Sequence, residues 1–376
     1  MRHNRLHPDS FMRVPFYDIK AQYDELQQPL DAAVHAVMSS GLYSMGENHR
    51  LIEEELAALH QVKHGIAVNS GTDALRIIMD AAGIGPGDEV ITSAFTFVAS
   101  VETIVQTGAT PVFVDIDPAT FCIDSAKITS VITPRTKAIQ PIHLFGQLAD
   151  VTKISEIAAE NNLKIVEDAA QAIGSSFKGT PAGNFGIGAG FSFYITKNLG
   201  AAGDAGLILT NDDEMASACR SIRVHGMGRE RYYYDYVGYT SRMDEIQAAI
   251  LRVKLTKFDE WNLRRANLAE IYLEVLSNSS VVLPVTSPGN NNTYHQFSIR
   301  SDRRDGLQAF LKERGIDSMI YYPVPIHFHE PYRKFGNGPG SLPESEKAAK
   351  EILNLPIHQH LTSDQVAYVA KTIAEF

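Results

Sequence analysis

From Gly65 onward the chain alternates short apolar runs with helical ones, and that alternation limits its fold more than any other feature. Residues 66–68 predict a strand and 72–82 a helix; 89–91 predict a strand, 98–107 a helix and 111–114 a further strand. The pattern continues with strands at 137–142, 164–166, 190–194 and 207–209, and a helix at 151–161. These strands are runs of Val, Ile and Leu without polar alternation, so both faces of their sheet must be covered. Strands alternating with helices in this way build a mostly parallel sheet in an α/β fold.

Helices are also expected at 27–39 and 53–60. Beyond Ser241 the spacing predicts one long helix: Ile246, Ile250, Val253, Phe258 and Trp261 recur on one side, with no stop before Ser277. The rest, from about Val281, predicts a smaller α+β unit with strands at 297–300 and 318–322. The expected organisation is a leader at 1–13, a large domain at 14–250, and a linking helix with a small C-terminal domain at 251–376.

Composition removes several classes of function. A formal charge of -10 does not suit a nucleic-acid surface, which needs a cationic face. No run of about 18 apolar residues occurs, so no membrane span is expected. Residues 1–13 carry charges but no apolar core, unlike a signal peptide. Cys122 and Cys219 sit far apart in apolar stretches and cannot form a disulfide framework, which points to a reducing, cytoplasmic setting. His327 with His329, and His358 with His360, lack carboxylates or cysteines at ligand spacing, so no metal is expected. The glycines at 183, 186, 188 and 190 precede a strand instead of opening a helix, so they do not form a dinucleotide loop.

In open α/β sheets ligands bind beyond the carboxyl ends of strands, so those ends are where chemistry is sought. Ser70-Gly71-Thr72 comes directly after the first strand and opens a helix, where free N–H groups and the helix dipole suit a phosphate. Phe97 comes after the second strand. Asp168 ends an apolar strand, and a carboxylate there needs a cationic partner such as a protonated pyridine nitrogen. Lys197 comes after another apolar strand, where poor solvation lowers an amine's pKa and favours imine formation with a carbonyl. Each feature alone has a plainer explanation: an N-cap, a structural ion pair, a lysine reaching to solvent. Together they fit one cofactor bearing a phosphate, a ring nitrogen and an aldehyde, as pyridoxal 5'-phosphate does.

At these residues the chain resembles the DegT/DnrJ/EryC1/StrS family of sugar aminotransferases, which have the pyridoxal-phosphate fold type I. The resemblance runs from Val14-Pro15-Phe16 to Asn354-Leu355-Pro356-Ile357-His358. It is carried most specifically by 70–75, 167–171, 192–200 and 241–249. It implies that Lys197 is the Schiff-base lysine, Asp168 the partner of the pyridine nitrogen and Gln171 the partner of the ring hydroxyl. It further implies that Phe97 stacks on the ring, that Gly71, Thr72 and Ser192 hold the phosphate, and that His327 lies near the sugar. The implied reaction moves an amino group from glutamate to a nucleotide-linked keto-sugar, dTDP- or UDP-bound, in a homodimer. A cyclitol aminotransferase, or a cofactor-binding regulatory protein without turnover, are the alternatives. Thr240 stands where many relatives carry an Asn that reaches the neighbouring subunit's phosphate, and Ala205-Gly206 where relatives often have two glycines.

Overall fold

The computed structural model describes residues 12–376. The leader expected at 1–13 therefore lies, except for Met12 and Arg13, outside the described residues. Helices α1 (Ile19–Ser40) and α2 (Glu47–Leu59) come first. Alternation then sets in as expected: β1 (His64–Val68), α3 (Gly71–Ala81), β2 (Glu89–Ser93), α4 (Val98–Gln106) and β3 (Thr110–Val114). Next come α5 (Ser125–Ile128), β4 (Thr136–Ile139), α6 (Val151–Glu160) and β5 (Lys164–Asp168). A small hairpin, β6 (Ser176–Phe177) and β7 (Thr180–Pro181), precedes β8 (Gly188–Ser192), β9 (Gly206–Thr210) and α7 (Asp213–Ile222).

Seven strands form one sheet in the order β1-β9-β8-β5-β4-β2-β3. Its pairs are parallel except those of β9, which runs antiparallel to β1 and β8. Strand side chains alternate between faces, and both faces are covered. Ile66, Val68, Val90, Ala138, Val166 and Ile208 pack with α3 and α7, while Ala67, Ala189, Leu207 and Leu209 pack with α2 and α8. That double burial is why these strands read as unbroken apolar runs.

The single long helix expected after Ser241 is two helices, α8 (Glu245–Leu255) and α9 (Phe258–Val275). At the break the Thr256 hydroxyl donates to Val253 O at 2.7 Å. The N–H groups of Thr256 and Lys257 also bond only three residues back, to Val253 and Lys254. A hydroxyl that takes a backbone acceptor tightens the turn and ends the helix. Apolar periodicity continues through the break, because Phe258 and Trp261 are both buried.

The C-terminal part has its own core. Here β10 (Asn290–Asn291) pairs with β6, and β11 (Phe297–Arg300) pairs with β12 (Ile352–Leu355). Helices α10 (Arg304–Glu313) and α12 (Ser363–Ala374) join α9 around Tyr272, Phe297, Leu307 and Leu353. Val14 belongs to this core through a bridge to Ile316. Helix α11 (Pro343–Glu351) instead sends Ala348 and Ala349 into the core beside β2 and β4. The strand expected at 318–322 is absent: only Met319 pairs with Asn354, and the next contact is Tyr321 N–H to the Asn354 side chain at 3.0 Å. The asparagine amide takes the place of the next ladder bond and turns the segment away.

Candidate active site

The carboxyl ends of β5 and β8 and the first turns of α3 and α4 open on a cavity of about 710 Å³. Gly71, Thr72, Phe97, Asp168, Gln171, Ser192 and Lys197 all line it. Seven of the eight residues singled out in the sequence thus converge.

Two glycines make the α3 end possible. A Cβ on Gly71 would lie 2.7 Å from Ser192 Cβ, and one on Gly206 would lie 2.3 Å from the Ser70 carbonyl carbon. Helix and strands therefore approach more closely than side chains would permit. Ser70 caps the helix by accepting from Asp73 N–H at 3.1 Å. The remaining first-turn N–H groups point out of the helix end by ordinary helix geometry, an arrangement suited to an anion.

Asp168 is buried. Its Oδ2 accepts from the Ser100 hydroxyl at 2.6 Å and its Oδ1 from Ala170 N–H at 3.2 Å. Burial raises its pKa above the usual carboxylate range, against the hydrogen bond from Ser100 and the charge of Lys197. Lys197 reaches the cavity surface, yet protein surrounds it so closely that its ammonium is poorly hydrated. Burial lowers its pKa to about 8, with Asp168 acting in the opposite direction. Among the described residues neither group has an ion-pair partner within 4.0 Å.

Phe97 precedes α4 and is 55% exposed, its ring centroid 6.1 Å from that of Tyr322. Gln171 accepts from Phe145 N–H at 2.8 Å and donates to the Tyr322 hydroxyl at 3.1 Å. The C-terminal part closes the cavity with His295, Gln296, Tyr321 and Tyr322. His295 is buried beside Asn198, 3.2 Å from its Oδ1, and burial holds its pKa well below the usual value. Gln296 donates to the Tyr17 hydroxyl at 3.1 Å, which lies 3.3 Å from that of Tyr321.

His327 stands apart from the other seven. It does not line this cavity but lies fully buried in a short 3-10 turn, its Nε2 3.4 Å from Glu346 Oε1. Its ring sits 6.3 Å from that of Phe113 on β3, the strand at the edge of the sheet. Thr240 is exposed, 3.0 Å from His225 Nε2, and is outside the cavity as well.

Ser100, Thr96, His295, Gln296, Tyr17 and Tyr322 are cavity residues that sequence reasoning missed. Ser100 could have been found, since a hydroxyl in the first turn of a helix after a strand faces the same crevice as the strand end. Thr96 likewise lies just past the end of β2, whereas nothing in the local sequence marks Tyr17, His295, Gln296 and Tyr322, which come from segments remote from the sheet.

The profile of the DegT/DnrJ/EryC1/StrS aminotransferase family matches residues 24–374. The chain is 48% identical over 368 residues to the pleiotropic regulatory protein of Geobacillus stearothermophilus, covering 97% of this chain and 99% of that one. It is 43% identical over 365 residues to the dTDP-3-amino-3,4,6-trideoxy-alpha-D-glucose transaminase of Streptomyces venezuelae, covering 97% and 96%. Its fold matches the crystal structure of S. venezuelae DesV in complex with a ketimine intermediate, with a TM-score of 0.94 and 43% identity over 96% of this chain and 98% of that one. Fold, site and relatives agree that the chain belongs to the DegT/DnrJ/EryC1/StrS aminotransferase family and has the fold-type I architecture.

Proposed function

We propose that this aminotransferase carries an amino group from glutamate to a keto-sugar linked to a nucleotide, dTDP or UDP, with pyridoxal 5'-phosphate held on Lys197. The observation that carries the proposal is the meeting in one cavity of a poorly hydrated lysine and a buried carboxylate, neither ion-paired among the described residues. The residues present fit this cofactor. A buried carboxylate with no cation in contact among the described residues suits a protonated ring nitrogen, and the space kept open by Gly71 and Gly206 suits a phosphate at the α3 N-terminus. When bound, pyridoxal phosphate supplies an aldehyde for the amine and an electron-poor ring that stabilises negative charge at the adjoining carbon.

The side chains divide the remaining work. With its pKa near 8, Lys197 Nζ is partly neutral at neutral pH, able to attack a carbonyl and, once released, to carry a proton between the two carbons that flank the transferred nitrogen. Asp168 holds a negative charge opposite the ring nitrogen. Phe97 would cover one face of the ring, and Gln171 Nε2 would have a second hydrogen for the ring hydroxyl. Thr72 and Ser192 add hydroxyl donors to the N–H groups at the start of α3. The reading includes a homodimer, supported by the exposed apolar side chains of Tyr23, Met38, Leu42, Tyr43 and Met45 on α1 and the loop after it.

The test is the visible spectrum of the purified chain with pyridoxal phosphate, before and after glutamate. A band that glutamate bleaches, and that a dTDP- or UDP-linked keto-sugar restores, is expected. The name of the Geobacillus relative favours a second reading, a regulatory protein that binds the cofactor without turnover. On that reading the band forms and glutamate leaves it unchanged.

A further inference from the structure

We propose that Ser100 is a positioning residue that fixes the orientation and the negative charge of the Asp168 carboxylate. The proposal rests on the cofactor reading and adds a role for a residue outside its catalytic set. Ser100 Oγ lies 2.6 Å from Asp168 Oδ2 and 2.8 Å from Thr96 Oγ1. An ionised carboxylate can only accept, so the single Ser100 proton points to Asp168. Thr96 must therefore donate to Ser100, and the hydroxyls form a chain with one direction: Thr96 to Ser100 to Asp168.

The chain is anchored from behind. Gln140, fully buried, donates from Nε2 to Ser100 O at 2.8 Å and holds the first turn of α4 in place. Thr96 and Ser100 are both buried at the wall of the cavity, so little of either hydroxyl is open to water. The same turn carries Phe97, which makes ring stacking and carboxylate orientation products of one backbone segment.

Other groups face Asp168 as well. Lys197 approaches from the turn after β8 and Tyr322 from the C-terminal part, while His143, on the segment after β4, acts from a distance with its ring turned to Glu167. Among the donors that touch its oxygens, Ser100 is the side chain and Ala170 the backbone group. Burial works against the charged form of Asp168, and the Ser100 hydrogen bond opposes it. A hydrogen bond to a charged group contributes enough to change such an equilibrium by roughly tenfold to a hundredfold.

The experiment uses the full chain loaded with pyridoxal phosphate carrying 15N in its ring, and reads the nitrogen chemical shift by NMR. The unmodified protein should show the shift of a protonated pyridine. Ser100→Ala should move it toward the unprotonated value and lower the rate of the glutamate half-reaction by roughly tenfold to a hundredfold, with little change in KM. Ser100→Thr, which keeps the hydroxyl, should restore both. Thr96→Val should move the shift in the same direction by less, and it keeps the test open if Ser100→Ala does not fold. A Ser100→Ala protein that retains the protonated shift overturns the proposal, as does a Ser100→Thr protein that behaves like Ser100→Ala. If the unmodified chain takes up no cofactor, the cofactor reading falls and this proposal with it; if it does and the shift is unmoved by Ser100→Ala, only this proposal falls.

Discussion

Glu167 and Asp168 are neighbours on β5, both buried, and the alternation of a strand sends them to opposite sides of the sheet. On the closed side Glu167 is fully engaged. Its Oε2 takes His143 Nε2 at 3.0 Å and Gly183 N–H at 2.9 Å, and its Oε1 takes Phe185 N–H at 2.8 Å. His143 Nδ1 accepts from Ala149 N–H at 3.2 Å, which leaves the ring proton on Nε2 for Glu167. On the cavity side Asp168 has, among the described residues, only Ser100 and Ala170 as donors and opens toward Lys197. Two carboxylates of similar burial thus have different prospects. The one whose acceptors are filled by the protein holds the fold together, and the one left short of donors is free to hold a ligand.

Breaking the cavity side should have the larger effect on activity. Lys197→Ala removes the proposed nucleophile and proton carrier, and turnover should fall by more than about 10³-fold with the circular dichroism spectrum unchanged. Substantial residual amine transfer would sink the assignment of Lys197. Asp168→Asn keeps shape but not charge, so the half-reaction with glutamate should slow by roughly 10²-fold or more. Its melting temperature should stay level or rise, because a costly buried charge is gone.

The closed side should show the converse. Glu167→Ala leaves three donors without an acceptor and should cost about 3 kcal/mol or more of stability in a urea titration. If the fold instead tolerates Glu167→Ala and only activity suffers, the division between the two sides is wrong.

The smallest effect sharpens the comparison through pH. Lys197 has its pKa lowered to about 8, so its reactive neutral form grows as pH rises toward that value. Uptake of pyridoxal phosphate by the apo-protein should therefore quicken about tenfold per pH unit below 8 and level off above it. An ordinary lysine would go on gaining until above about pH 10, and a profile of that kind would show that the amine is well hydrated after all.

Much of the large sheet is legible in the sequence. Its strands announce themselves through double burial, and Lys197, Asp168 and Gly71 stand out because they sit at or just past strand ends. Departures from expectation come where side chains bond backbone. The Thr256 hydroxyl divides α8 from α9, and the Asn354 amide ends the pairing at Met319. Neither changes the apolar period from which helices and strands are read. His327 and His295 make the same point within the site. The first has a sequence motif to mark it and faces Glu346 inside the fold, while the second has none and lines the cavity.

What the sequence determined by itself was the α/β alternation and the residue types at the strand ends, because these depend on local periodicity and on where a chain must turn. Tertiary structure decided which of two adjacent carboxylates faces a ligand and which C-terminal side chains close the cavity. It also decided that Ser100 stands 2.6 Å from Asp168. Those are distances between segments far apart in the chain, and burial, pKa and hydrogen-bond direction depend on them rather than on neighbours in sequence.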